Sequence, residues 1–205
     1  MYGGRTFHDI RLSARNQGRT WQGEVQAGEV NGTFGWDPAG HGTITANLRN
    51  LAVPDEIGGD VLDSGTTATA KSLPDLKLTV GALELKGKKL GRLELDAAYD
   101  NGGTPDTADD AWRVQRLSLS VPDEYTLEGR GRWDNWRRSR AFRTTFGFKL
   151  DVKKLDRFVA RMGYPDTISR GRAEVNGSLS WMGPPQRMDY ASLQGQIKVE
   201  AHSGQ

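Results

Sequence analysis

Residues 175–181 read VNGSLSW, residues 30–36 read VNGTFGW and residues 127–133 read LEGRGRW. Each run starts on an aliphatic residue, places glycine two positions later and ends on tryptophan. In an extended chain alternate side chains point to the same side. Val175, Gly177, Leu179 and Trp181 therefore share one face, as do Leu127, Gly129, Gly131 and Trp133, and Val30, Gly32, Phe34 and Trp36. The opposite face is mostly polar. Strands with one apolar and one wet side belong to antiparallel sheets. Glycine weakens a strand, yet here it stands where a bulky apolar residue is expected. Either it permits a bend, a bulge or a close approach, or the glycines hollow a trough in the apolar face. Each tryptophan is followed within three residues by a turn signal or polar run, Asp37-Pro38, Asp134-Asn135 and Gly183-Pro184. There an indole can bury its ring while its N–H reaches water or a carbonyl.

Outward from these runs the same period-two alternation continues. It is clearest at Leu76/Leu78/Val80, Leu93/Leu95/Ala97/Tyr99, Leu117/Leu119/Val121, Phe146/Phe148/Leu150/Val152, Ala173/Val175/Leu179 and Leu193/Ile197/Val199. Weaker strands lie at Ile10/Leu12, Trp21/Val25, Val30/Phe34/Trp36 and Ile44/Ala46/Leu48. The expected fold is mostly β, a long curved antiparallel sheet with an open, taco-like groove. Residues 54–75 are small, polar and punctuated by Pro and Gly. They are expected to form a flexible linker or long loop between an N-terminal β segment, 1–53, and a β-rich groove segment, 76–205, unless one continuous sheet spans both. Residues 100–111 read as an acidic loop. One segment breaks the rhythm: Leu155, Phe158, Val159 and Met162 fall at helical spacing. A single amphipathic helix over about 152–162 follows, with Asp151 at or just before its start and Gly163 and Pro165 beyond its end.

About ten strands present apolar side chains on one face, and the helix covers only two or three of them, because it is about 10 Å across against a strand spacing of about 4.8 Å. A second sheet, a partner or a lipid must meet the rest. A large apolar surface left open marks a binding site. Alternation alone does not choose between a closed sandwich and an open groove.

The 205 residues hold 28 Lys plus Arg against 26 Asp plus Glu, a net charge of +2, which argues against a dedicated nucleic-acid binder. There is no cysteine, so disulfides and thiolate metal sites are excluded. No apolar run approaches the length of a membrane span. Met1-Tyr2-Gly3-Gly4-Arg5 leads straight into polar sequence, so any export signal or anchor would lie outside this chain. His8, His41 and His202 are scattered without metal-ligand companions. Asp106, Asp109 and Asp110 lack the ordering of a calcium loop. No nucleophile elbow, phosphate loop or dinucleotide fingerprint is present, so no catalytic residue, metal or cofactor is expected. RWDNWRRSRAFR, at 132–143, mixes arginine with aromatics. It suits either anionic head groups or a polar hairpin connection with snorkelling side chains, the latter being favoured.

Several phrases in order resemble the YhdP branch of the AsmA-like proteins, a group that includes AsmA and TamB. They are W-x-G-E-V at 21–25, VNGTFGW…GTITANLRNLAVP ending at Pro54, LPDLKLTVGALELKGKKLGRLELDAAYDNGG at 73–103 and WRVQRLSLSVPDEYTLEGRGRW at 112–133. LDVKKLDRFVARMGYPDTISRGRAEVNGSLSWMGPP at 150–185 and LQGQIKVEAHSG at 193–204 complete the series. The resemblance covers nearly the whole chain apart from 55–72 and 104–111. It implies a piece of the C-terminal region of a long envelope protein, anchored in the inner membrane elsewhere in its sequence and extending through the periplasm. Its β-rich body would form an apolar trough that carries phospholipid toward the outer membrane, without catalysis.

Two functions follow as expectations. In the first, acyl chains lie on Leu76, Leu78, Leu93, Leu95, Leu117, Leu119, Phe146, Phe148, Val175, Gly177, Leu179, Ile197 and Val199. Leu155, Phe158, Val159 and Met162 form the helical cover, and the partners are phospholipid, membrane through parts of the longer protein, and envelope proteins. In the second, the chain is a closed β module that acts as a spacer or docks a protein.

Overall fold

The computed structural model of the chain describes residues 10–53, 73–103, 110–135, 142–168, 170–185 and 188–203. Eleven strands form one sheet in sequence order. They are β1 (Arg11–Gln17), β2 (Thr20–Gln26), β3 (Val30–Asp37), β4 (Thr43–Val53), β5 (Asp75–Leu85) and β6 (Lys88–Asp100). After these come β7 (Ala111–Val121), β8 (Tyr125–Asn135), β9 (Phe142–Val152), β10 (Gly171–Met182) and β11 (Gln194–Ser203). The first and last strands stay unpaired with each other, so the sheet is open. A closed sandwich, the alternative drawn from the alternation, is not what these strands build.

Neighbours are antiparallel except β4 and β5, which run parallel. Parallel neighbours need a return connection rather than a hairpin. Residues 54–72, between this pair, lie outside the described residues, and with them most of the stretch read as a linker. Of the expected acidic loop at 100–111, Asp100 ends β6 and Ala111 opens β7, and 104–109 lie outside the described residues, as do positions 136–141 of the arginine-aromatic run.

Four strands carry bulges, one of them β6, where the partners step from Leu83↔Gly91 to Glu84↔Lys89 past Leu90. Partners step from Gly32↔Leu48 to Asn31↔Asn50 along β4, from Val80↔Leu93 to Leu83↔Gly91 along β5, and from Asp96↔Arg116 to Ala97↔Val114 along β7. A bulge bends its strand and raises the local twist. Four bulged strands in one sheet favour a curved layer over a flat one.

The helix α1 (Leu155–Arg161) is shorter than the stripe suggested. Asp151 and Val152 remain in β9, where Val152 pairs with Tyr125 and Ala173 and is buried. Strand pairing on both sides of Val152 outbids the helical turn that the sequence spacing would allow, and Lys154 becomes the N-cap. Leu155 and Phe158 pack onto a cluster built from Tyr125, Val152 and Ala173. The Phe158 ring meets Tyr125 edge-on at 5.0 Å. Val159 and Met162 are partly buried. Polar bonds pin the far end of the helix: Lys88 Nζ donates to Met162 O at 2.5 Å and Arg161 to Lys89 O at 2.8 Å. The Arg161 guanidinium grips both oxygens of Glu124 at 2.6 and 2.7 Å.

Phe158→Ala should cost about 2 kcal/mol in denaturant melts, below the roughly 3–5 of a fully buried ring, because no residue of the helix is fully buried. A loss near zero would show the helix undocked. The hydrogen bonds from Arg161 hold the Glu124 carboxyl below its ordinary value. The pair therefore stabilises the fold above the ordinary carboxylate range, and that contribution is lost as pH falls through the lower, folded-state value. The melting temperature should drop on acidification below about pH 4.3, and Glu124→Gln should flatten that drop. Equal acid sensitivity in both proteins would contradict the assignment.

Candidate apolar binding face

The registers align the apolar side chains into rows that cross the whole sheet. One row runs Ala14, Gly23, Phe34, Ala46, Leu78, Leu95, Leu117, Gly129, Phe148, Gly177 and Ile197, each directly opposite the next. A second row runs Leu12, Val25, Gly32, Leu48, Val80, Leu93, Leu119, Leu127, Leu150, Val175 and Val199. Neither contains a polar residue. The third starts at Asn16 and Trp21, passes through Trp36, Ile44, Leu76, Ala97, Val114, Gly131, Phe146 and Leu179, and ends at Gly195. All thirteen apolar positions singled out from the sequence fall in these rows, on one face.

Burial varies along the rows. Val80 is fully enclosed, with Leu48 and Leu93 beside it. Leu78, Leu95 and Leu117 are half-buried. At the open edges Leu12 is 64% exposed, Ile197 57% and Val199 61%. The opposite face carries ion pairs such as Arg116–Glu94 and Lys149–Glu174. Exposed pairs of this kind add little stability, and they keep that face wet.

The two ends of the strands differ. At one end α1 covers the apolar side at Tyr125, Val152 and Ala173. At the other, Tyr99, Trp112, Trp133, Thr144 and Trp181 stand in register. Trp112 donates to Pro74 O at 3.0 Å and Trp181 to Pro184 O at 3.1 Å, as expected of indoles at strand ends. Trp133 departs from that pattern: its indole nitrogen is buried without a partner among the described residues. Tyr99 donates to Asp110 at 2.5 Å, and this bond, with burial, pushes its phenol up to about 12. Between helix and aromatic end lies the three-row apolar band.

The three glycine-tryptophan runs do different work. Gly32 has φ +151, and a Cβ there would lie 2.3 Å from Asn47 O and 2.6 Å from Leu48 Cα, where β4 bulges against it. Gly129 and Gly177 lie beneath phenylalanine rings instead. A Cβ at Gly129 would meet Phe146 Cζ at 2.4 Å, and one at Gly177 would meet Phe148 Cε1 at 2.6 Å. Phe34 lies over Gly23 in the same way, at 2.5 Å. The gaps left by glycine are therefore not empty hollows. The neighbouring ring lies down across the glycine, a cross-strand pairing known to rescue glycine in sheets, and Phe146 and Phe148 stack at 6.2 Å. The result is a thin apolar layer.

The bulges were missed in the sequence, although they leave a signal. Apolar parity slips by one after Leu48 (to Leu51), after Val80 (to Leu83) and after Val114 (to Leu117). Among the described residues no three His, Asp or Glu side chains gather as metal ligands, and no helix is long and apolar enough to cross a membrane. A family model described as YhdP protein matches residues 2–205. Comparison with curated proteins and with solved structures finds no match.

Gly177→Ala must lift the Phe148 ring and should cost about 1–3 kcal/mol by overpacking. Phe148→Leu in the same chain should recover much of that loss, read as non-additivity in a double-mutant cycle. Strict additivity would show that the ring does not rest on the glycine.

Proposed function

We propose that this chain, which belongs to the YhdP family, is a non-enzymatic segment of a bacterial envelope protein whose apolar face carries phospholipid acyl chains. The observation that carries this reading is the pair of rows that cross eleven strands without a polar residue. A folding core needs a patch of apolar surface. An unbroken band that stays apolar out to both exposed edges exceeds that need and matches the shape of a path.

The band runs across the strands, and ten interstrand steps of about 4.8 Å give it a span of about 48 Å. Each methylene laid on such a surface contributes about 0.8 kcal/mol on full burial. Because the surface is non-directional, a chain can slide from one row position to the next without losing a specific bond. The flat-lying phenylalanines suit this role, since they raise no barrier across the band. Head groups would stay at the strand ends, in water. In a longer protein the segment would stand in the periplasm, fixed to the inner membrane by sequence elsewhere, and pass lipid between the two membranes. Family membership and the open sheet support this placement.

The alternation supplies an internal control for the test. A benzophenone amino acid placed at position 95, 117 or 148 faces the band, and one at 94, 116 or 149 faces water. Expression in a Gram-negative host, irradiation and mass analysis should give phospholipid adducts at the first set and none at the second. Equal labelling of both sets, or protein adducts in place of lipid at 95, 117 and 148, would contradict the reading and favour a protein-docking surface.

A further inference from the structure

We infer that the cavity between the start of α1 and the start of β10 binds a phosphate group. Resting on the acyl-chain reading above, we assign that phosphate to a phospholipid head group. The cavity, a depression open to solvent, has a volume of about 310 Å³ and is lined by Lys153, Lys154, Arg157, Arg170 and Arg172, with Asp156 as the carboxylate among them. Elsewhere on the sheet some cations stand in ion pairs, as Lys149 does with Glu174 and Lys198 with Glu200. Among the described residues none of these five makes a salt bridge, although Lys154 and Arg157 stand near enough to Glu124, which Arg161 grips, to help hold its carboxyl low. Like charges gathered around one space repel unless an anion joins them. Three of the five are arginines, whose planar forks fit phosphate oxygens bidentately, and the two lysines add point charge.

The position suits an amphiphile. Gly171, in the cavity wall, faces Leu155, and a Cβ there would lie 3.7 Å from Leu155 Cδ2. Leu155 belongs to the apolar cluster of Val152 and Ala173. The cations thus ring the strand end where the apolar layer stops, with Arg172, opposite His202, and Lys153 projecting from the polar face and Arg157 and Arg170 on the helix side. The adjoining cavity, about 640 Å³, includes Asp123, Asp151 and Glu174 beside Lys153, Lys154 and Arg172. Lys153, Lys154 and Arg172 border both cavities, and Arg157 and Arg170 belong to the helix side alone.

The test uses the whole chain and three probes: inorganic phosphate, dihexanoylphosphatidylglycerol below its micelle concentration, and dihexanoylglycerol, which has the same acyl chains and no phosphate. The variant is Lys153→Gln/Arg170→Gln/Arg172→Gln, all exposed positions, with its melting curve checked against the parent. The parent should bind the phospholipid at least tenfold more tightly than the neutral glyceride, and the variant should bind both alike, at the parent's glyceride affinity. If parent and variant show the same preference for the phospholipid, the site is overturned while the acyl-chain reading stands. If the parent binds inorganic phosphate but neither amphiphile, and the variant loses phosphate, the anion site stands and the lipid assignment falls. If the parent shows no preference for either phosphate-bearing probe, the inference fails altogether. A variant that melts early is replaced by Arg170→Gln alone, scored by the same comparison.

Discussion

A strand that is wet on one side and apolar on the other must bury its apolar side against something. In this chain the strands bury it largely against each other, side by side within a single layer. Directly opposed side chains such as Leu78, Leu95 and Leu117 stand close enough across the strands to exclude part of the water from one another. Cross-strand pairing of this kind fixes the register, because a slip of one residue would turn every apolar group to the polar face. Bulges in β4, β5, β6 and β7, the docking of α1 and the aromatic strand end all act on this one layer. They bend it or cap its ends, and among the described residues they do not replace it with a second sheet.

That constraint gives the glycines their meaning. In a two-layer core, glycine under a ring would leave a fault to be filled from the opposite sheet. In a single layer, the ring of Phe146 or Phe148 can lie flat over Gly129 or Gly177 and shield both strands. Gly32 serves the bulge instead, by letting the β4 backbone approach. One seven-residue pattern thus meets two different physical needs, both of which shape the same face.

Much of this was legible in the sequence. Period-two alternation is a direct consequence of backbone geometry, so the strands, their apolar faces and all thirteen face residues could be read without coordinates. The short helix could be read too, but its start could not: Val152 satisfies the helical stripe and the strand equally well, and only pairing with β8 and β10 decides between them. The parallel β4–β5 junction was invisible, because parallel and antiparallel neighbours demand the same alternation here. The cation cluster was hidden for a different reason. Lys153, Lys154 and Arg157 are separated in sequence from Arg170 and Arg172, and the docking of α1 brings them together.

Function rests on whether the single apolar layer is finished when folded or waits for a ligand. The two rows that cross all eleven strands without a polar residue are what supports the proposed ligand. Native mass spectrometry of the chain, purified without detergent from a Gram-negative host, puts the question directly. Adducts with phospholipid masses on the monomer are the result expected here, lost when Leu95→Asp interrupts the central row. A bare monomer, or a dimer free of lipid, would contradict the account and leave this face as a surface between protein chains.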